Sequence, residues 1–466
     1  MSKEFFEDLA LKNLSIFLVK YVKKDPESNI DKLANLLNKL LVLKAGKFIA
    51  NEGEKKEYED VIEYARKSVV SDPNIKEYFA KVFKQTSDSY LKGFLINLFI
   101  RSTLIGVPKR KRNEQKFGVR IPAAILIDPT EACNLHCKGC WAGKYDINVM
   151  PFELFDRILN EAKELGIHFI VLSGGEPTLY PHLFDIATKH KDVAFMMYTN
   201  GTLIDEKMVE QLLKTGNISP VISLEGWEKE TDERRGSGVF QKIMQSMDLL
   251  RENGIPFGFS VTVTRRNYKV LFSDEFIRFM VDKGALYGWS FHYIPIGRDP
   301  DYSAMITPEQ RKWLAGRVRE IRKTYPLMFF DFWNDGELVK GCIAGGRYYF
   351  HITANGNVEP CAFAHVKCDN IREKSLVEVL GNRVFRAYQK YQPVSQNYLR
   401  PCPIIDRPEV LRTIVKESGG VPSYEGALNI LEGEGAEFLD KLSAEWEKVS
   451  EGILKERVQA AELGRS

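Results

Sequence analysis

From Ile121 the chain changes character, and that change constrains its fold more than any other feature: short β-rich runs begin to alternate with helical stretches. The runs cover residues 123–127, 168–172, 193–198, 220–224, 257–263 and 287–293. Between them apolar residues fall at helical spacing. In residues 152–165, Phe155, Ile158, Leu159 and Ala162 share one face, and residues 239–253 read the same way. Six strand–helix units predict an α/β fold with a parallel sheet and right-handed crossovers. A full eight-fold barrel needs two more, so a partial (βα)6 barrel is expected over 121–300.

The loops after these strands carry the unusual residues: Cys133-Asn-Leu-His-Cys-Lys-Gly-Cys140, Gly174-Gly-Glu-Pro177, Thr199-Asn-Gly201, Glu225-Gly226, Thr264-Arg-Arg-Asn267 and Pro295-Ile-Gly297. All lie at the carboxyl end of the sheet, where sites in parallel α/β folds gather.

Residues 1–120 read as helices over 11–22, 30–43, 58–69, 75–84 and 90–105. The last contains the most apolar run, Leu91 to Ile100. Gly106-Val-Pro108 is expected to end it, and the basic cluster Lys109-Arg-Lys-Arg112 follows. An apolar helix beside a cationic patch fits an interfacial membrane segment. It also fits a helix docked on the barrel, which is the preferred reading. Residues 413–466 form a charged helical tail.

The composition, 44% hydrophobic and 28% charged with a net charge of +3, is that of a globular chain with no low-complexity tract. The acidic start, Met1-Ser-Lys-Glu, lacks the basic region of a signal peptide, so the cytoplasm is the expected compartment, with peripheral contact at the membrane's inner face as a further expectation. No nucleic-acid partner is expected. Thiols in that compartment stay reduced, and seven cysteines, an odd number, point to metal ligation before disulfides.

Cys133, Cys137 and Cys140 can turn three thiolates toward one [4Fe–4S] cubane and leave an iron open for the amino and carboxylate groups of S-adenosylmethionine. Zinc, with a fourth ligand, and an electron-transfer cluster completed by a distant cysteine are the alternatives.

The C-x3-C-x2-C spacing after one strand and Gly-Gly-Glu-Pro after the next resemble the radical SAM superfamily. The resemblance implies reductive cleavage of S-adenosylmethionine to a 5′-deoxyadenosyl radical, which abstracts hydrogen from an unactivated carbon. It implies that Gly174, Gly175, Glu176 and Pro177 contact the methionine amino group, that Ser223 and Glu225 meet the ribose, and that Arg235 pairs with the methionine carboxylate. Asn200 and Asn267 would line the cofactor site. Relatives often carry an aromatic residue just before the third cysteine, to lie on adenine; this chain has Gly139 there and Trp141 after it. A reducing donor such as ferredoxin or flavodoxin is implied.

Further on, Cys342 and Cys361 flank a segment with Asn355-Gly356, a hairpin signal because both turn positions want positive φ. The C-x13-G-x4-C arrangement resembles SPASM or twitch domains, which bind an auxiliary [4Fe–4S] cluster, here over 301–412. Cys402 is the natural third ligand; Cys368, His365 or a non-protein ligand would be the fourth.

The N-terminal third with Gly341-Cys-Ile-Ala-Gly-Gly346 and Leu399-Arg-Pro-Cys402 also resembles a subgroup that includes candidates for making membrane-spanning lipids. Carbon–carbon bond formation or other modification of a lipid chain is therefore the first expectation for substrate. Maturation of a ribosomally made peptide is the alternative, and a non-enzymatic iron–sulfur redox or binding protein the remote one.

Overall fold

The computed structural model describes residues 15–48, 52–142 and 147–462. The acidic start of the chain and the opening of the helix expected from residue 11 lie outside the described residues, as do the last four residues of the tail.

All six expected strands form, displaced by one or two residues at some ends: β1 Ile125–Ile127, β2 Phe169–Leu172, β3 Ala194–Thr199, β4 Ile218–Leu224, β5 Gly258–Val263 and β6 Tyr287–His292. They pair in sequence order, all parallel. A seventh, β7 Met328–Asp331, adds in parallel to β6, past residue 300, so the barrel sheet continues into the stretch read as auxiliary region. The alternation missed it because Met328-Phe-Phe-Asp331 is short, lacks a period of two, and follows the charged helix Pro308–Thr324. At the other edge β8 His351–Ile352 pairs in parallel with β1. Antiparallel β9 Asn357–Glu359 and a later strand, Asp369–Asn370, extend this edge further.

Side chains along β6 alternate: Gly288, Ser290 and His292 are buried beneath the helices, whereas Tyr287, Trp289 and Phe291 are half-covered and face the lumen. Outward Phe259 meets Phe276 of helix Asp274–Asp282, and Phe329 packs beside it. The predicted face of helix Phe152–Leu165 is buried as expected, with Leu165 added. Large side chains buried in this way contribute about 1.5–3 kcal/mol each.

The β8–β9 hairpin differs in its turn. Thr353 N donates to Asn357 O around a three-residue loop, and only Gly356 takes positive φ, at +88°. Asn355 keeps negative φ and accepts from Thr353 Oγ1 and Asn357 N. A three-residue loop needs a single left-handed residue, at its end.

Helix Asp88–Phe117 runs straight through Gly106 and Pro108, where the sequence predicted a stop. Residues Leu95–Ile105 wind as a π-helix, and Gly106 N donates to Arg101 O. Pro108 then falls in the first turn of the α-segment Gly106–Phe117, where its missing N–H costs little. The stop is Gly118, in the left-handed region at φ +65°.

By length and composition this helix could cross a membrane. Here it is docked. Tyr90 donates to Leu212 O, Asn97 Nδ2 donates to Lys191 O, and Gly93 sits so close to Gly216 that a Cβ would come within 2.7 Å of its carbonyl oxygen. The basic cluster is engaged too: Lys109 Nζ donates to Lys163 O at 2.9 Å and Arg110 to Gly166 O at 2.8 Å. Two of its cations therefore cap the carboxyl end of helix Phe152–Leu165, a favourable place for positive charge. Part of the apolar face and two of the four cations are thus taken up by intramolecular packing, while Phe94, Ile105, Lys111 and Arg112 stay exposed.

The tail helix Gly433–Glu462 packs back on the chain: Trp446 Nε1 donates to Leu399 O, and the buried guanidinium of Arg311 lies over the Trp446 ring at 4.4 Å.

Candidate functional site: two thiol sites on one sheet

Cys133, Cys137 and Cys140 lie on the single loop that leaves β1. The Gly-Gly-Glu-Pro loop after β2 is laid directly on it: Gly175 N donates to Thr130 O at 3.0 Å and Glu176 N to Ala132 O at 2.8 Å. A Cβ at Gly174 would stand 2.5 Å from Thr130 O, and one at Gly175 2.2 Å from Ala132 O. The two glycines are required by the backbone of the cysteine loop, not only by approach to a ligand.

Glu176 is buried, which pushes its carboxyl upward, and its own chain supplies four donors: Thr178 N and Oγ1, Thr199 Oγ1 and Asn200 N. It ties the loops after β2 and β3 together, and only Oε2, with one donor, has room for an ammonium group. Asn200 Nδ2 reaches Asn134 Oδ1 in the cysteine loop. Asn267 is buried rather than lining the site: it accepts from Thr264 N and Oγ1 and donates to Glu225 O and Thr262 O.

Glu225, at the end of β4, is buried between two guanidiniums. Oε1 accepts from both Arg234 and Arg235, while Oε2 has no partner among the described residues. Arg234 also donates to Gly139 O and Thr262 Oγ1. Burial works against the charge of Arg235, but Glu225 and the thiols of Cys137 and Cys140 hold its pKa above the ordinary value. Two cations against one carboxylate leave a net positive charge that suits a ligand carboxylate, and the orphaned Oε2 suits a hydroxyl donor. Ser223 Oγ shares a hydrogen bond with Ser260 Oγ at 2.9 Å. Three thiols, an orphaned acceptor and surplus guanidinium charge at one end of the sheet fit an iron–sulfur cluster with S-adenosylmethionine.

Sequence reading missed Tyr293. A Cβ on Gly139, which has φ +61°, would fall 2.8 Å from the Tyr293 ring. The aromatic group beside the third cysteine thus comes from the end of β6. The signal was the glycine itself, standing where an aromatic side chain was expected. Trp141 turns elsewhere, stacked on His365 at 5.9 Å and tilted against Phe363 at 5.9 Å.

Cys342, Cys361 and Cys402 line one cavity with Phe332, Trp333 and Tyr388. Desolvation pushes the Cys342 thiol up to about 12 and that of Cys402 well above its ordinary value, so thiolates here need a cation. Each sulfur accepts a backbone N–H from two residues on, Ala344, Phe363 and Ile404, and Cys133 accepts from Leu135 in the same way. Such bonds tune iron–sulfur centres, and the donor set fits one. Neither Cys368 nor His365 lines the cavity. Cys368 lies between two short strands, Val366–Lys367 and Asp369–Asn370, and His365 Nδ1 bonds Glu359 Oε2 at 2.9 Å.

Between the two sites runs a buried network absent from the sequence reading. His351 bridges Asp128 Oδ2 at 2.8 Å and Glu359 Oε2 at 2.9 Å. Burial opposes its charge, but the two carboxylates raise its pKa to about 10. His351, Glu359 and His365 bring ligand atoms within 4.8 Å of one another; both imidazoles bond Glu359 Oε2, while Glu359 Oε1 is buried without a partner among the described residues.

Residues 127–270 match the model of the radical SAM superfamily, and residues 342–403 match the SPASM iron–sulfur cluster-binding domain. The chain therefore carries both domains. Among curated relatives, an AdoMet-dependent heme synthase of Methanosarcina barkeri is 27% identical across 57% of this chain and 84% of its own length. A PqqA peptide cyclase of Granulibacter bethesdensis is 27% identical across 62% and 81%. Among solved structures, Streptococcus suis SuiB bound to S-adenosylmethionine matches with a TM-score of 0.53 at 21% identity, covering 64% of this chain and 76% of that one, a likeness of fold.

Proposed function

We propose that this radical SAM enzyme, with its SPASM domain, matures a ribosomally made peptide by functionalising an unactivated carbon of one residue. The supporting observation is the similarity to a PqqA peptide cyclase over four-fifths of that protein's length. In the lumen, Tyr198 of β3 and Phe291 of β6 meet edge-to-face with ring centroids 5.8 Å apart. When bound, the cluster and S-adenosylmethionine supply a radical able to remove hydrogen from such a carbon. The protein's part is to hold iron through Cys133, Cys137 and Cys140, to orient the cofactor through Glu225 and Arg235, and to keep water from the lumen.

A second reading, action on a tetrapyrrole side arm, is favoured by the similarity to a heme synthase. A lipid chain has no comparable support. We place the enzyme in the cytoplasm with a low-potential donor such as ferredoxin or flavodoxin.

The test is anaerobic reconstitution with dithionite and S-adenosylmethionine, alone, with short peptides encoded beside the gene, and with a porphyrin carrying carboxylate side arms. The expected result is 5′-deoxyadenosine, lost in Cys133→Ala, together with a mass change on one peptide. A modified porphyrin carboxylate with every peptide unchanged would refute the proposal.

A further inference from the structure

The lumen has two unlike walls, and the strand register lays them side by side. Ser223 of β4 pairs with Ser260 of β5, Ser260 with Trp289 of β6, and Trp289 with Phe330 of β7. One tier higher Thr262 pairs with Phe291. Hydroxyls thus face the lumen from β4 and β5, next to Glu225 and the cysteine loop, while rings face it from β6 and β7. Trp289 stacks on Phe330 at 4.4 Å and lies nearly parallel to Phe291 at 6.0 Å. Phe291 meets Phe332 at 5.3 Å and Phe363 at 6.2 Å, and Phe363 meets Trp141, the chain neighbour of Cys140. The aromatic wall is continuous from the first thiol site to the far edge of the sheet.

Two facts say that this wall awaits a ligand rather than filling a core. Trp289 and Phe291 are half-covered although their strand neighbours are buried, whereas Tyr287 is engaged through its hydroxyl with Ser219 Oγ. Trp289 Nε1 is itself buried and has no acceptor among the described residues, an arrangement that costs about 1–3 kcal/mol unless something supplies one.

We propose that the β6–β7 wall is a subsite for an aromatic side chain of the peptide substrate, with Trp289 Nε1 donating to an oxygen of the bound residue. This rests on the peptide reading. Rings packed stacked or edge-to-face gain beyond the area they bury, which an aliphatic side chain against the same wall does not. Tyr198 packs edge-to-face against Phe291, and Thr262, the β5 partner of Phe291, accepts from Arg234, which sets this wall beside the Glu225 cluster.

The experiment uses reconstituted holoenzyme with S-adenosylmethionine, labelled with 5-fluorotryptophan, the Trp289 resonance being assigned by its loss in Trp289→Phe. N-acetyl-L-tyrosinamide and N-acetyl-L-phenylalaninamide should shift that resonance saturably, and N-acetyl-L-leucinamide should bind about three- to tenfold more weakly. A shift with tyrosinamide alone assigns the acceptor to the ring hydroxyl, and a shift with both assigns it to the backbone carbonyl. Phe330→Leu should weaken both aromatic amides and leave leucinamide unchanged. In Trp289→Phe, which keeps a ring, equilibrium dialysis should show the aromatic preference retained at reduced affinity. Equal binding of leucinamide, an unmoved Trp289 resonance with every amide, or a shift produced by deuteroporphyrin instead would overturn the subsite. If no precursor peptide is ever modified while the aromatic amides still move Trp289, the peptide reading fails and the subsite stands.

Discussion

His351→Phe is the perturbation that the network between the two thiol sites makes most informative. The imidazole is wholly buried between Asp128 and Glu359, and its pKa rises from the ordinary 6.5 to about 10. A group whose pKa is raised by folding stabilises the folded state fully below its unfolded value, and that contribution is lost as pH rises toward the folded value. At about 1.4 kcal/mol per pH unit, His351 contributes about 4 kcal/mol near pH 7 and about 1–2 kcal/mol near pH 9. The native protein should therefore lose about 2–3 kcal/mol from this group over that interval. His351→Phe leaves two buried carboxylates without the cation between them, which costs about 3–5 kcal/mol near pH 7, and it should remove that part of the slope. The assay is urea unfolding of reduced, metal-free protein under argon, followed by tryptophan fluorescence at both pH values. An equal slope in the variant, or a loss at pH 7 below about 1 kcal/mol, would show that the imidazolium is not what holds Asp128 and Glu359 together.

Other predictions concern the sites themselves. Gly175→Ala must push its methyl away from Ala132 O, at a cost of about 1–3 kcal/mol, and should lower the iron retained by the first site while the second still fills, read as iron per protein and by Mössbauer spectra. Glu225→Gln removes the anion between Arg234 and Arg235 and replaces an acceptor with an amide; S-adenosylmethionine affinity by calorimetry should fall about ten- to a hundredfold. Cys402→Ala should lose the auxiliary iron, whereas Cys368→Ala, which touches no part of that cavity, should keep it.

How much of this was legible depends on whether a residue's role is local. The six strands and the face of helix Phe152–Leu165 follow from periodicity, which acts within a few residues. The cysteine loop and the loop after β2 were likewise visible as motifs. What stayed hidden depends on residues distant in sequence. Tyr293 fills the space at Gly139 from across the sheet, and His351 finds Asp128 only because β8 joins β1. The Asn355-Gly356 turn went wrong for a smaller reason: the asparagine bonds its own neighbours and the loop has three residues, so one left-handed position suffices. The apolar run at Leu91 looked equally like a membrane segment and a docked helix, because both bury the same face. The docked face is visible only in the contact with Gly216 and the carbonyls beyond it.

The parallel pairing of β8 with β1 also sets an order on how the protein can be made. The strand that carries the cysteine loop is central in the finished sheet, but on a growing chain one of its edges stays unpaired until residues 351 and 352 have been synthesised. An open edge beside reactive thiols invites wrong partners, and pairing across such a long stretch of sequence is intrinsically slow. The strand that leads into the first thiol site is thus enclosed on both edges only when the stretch that opens the second is in place.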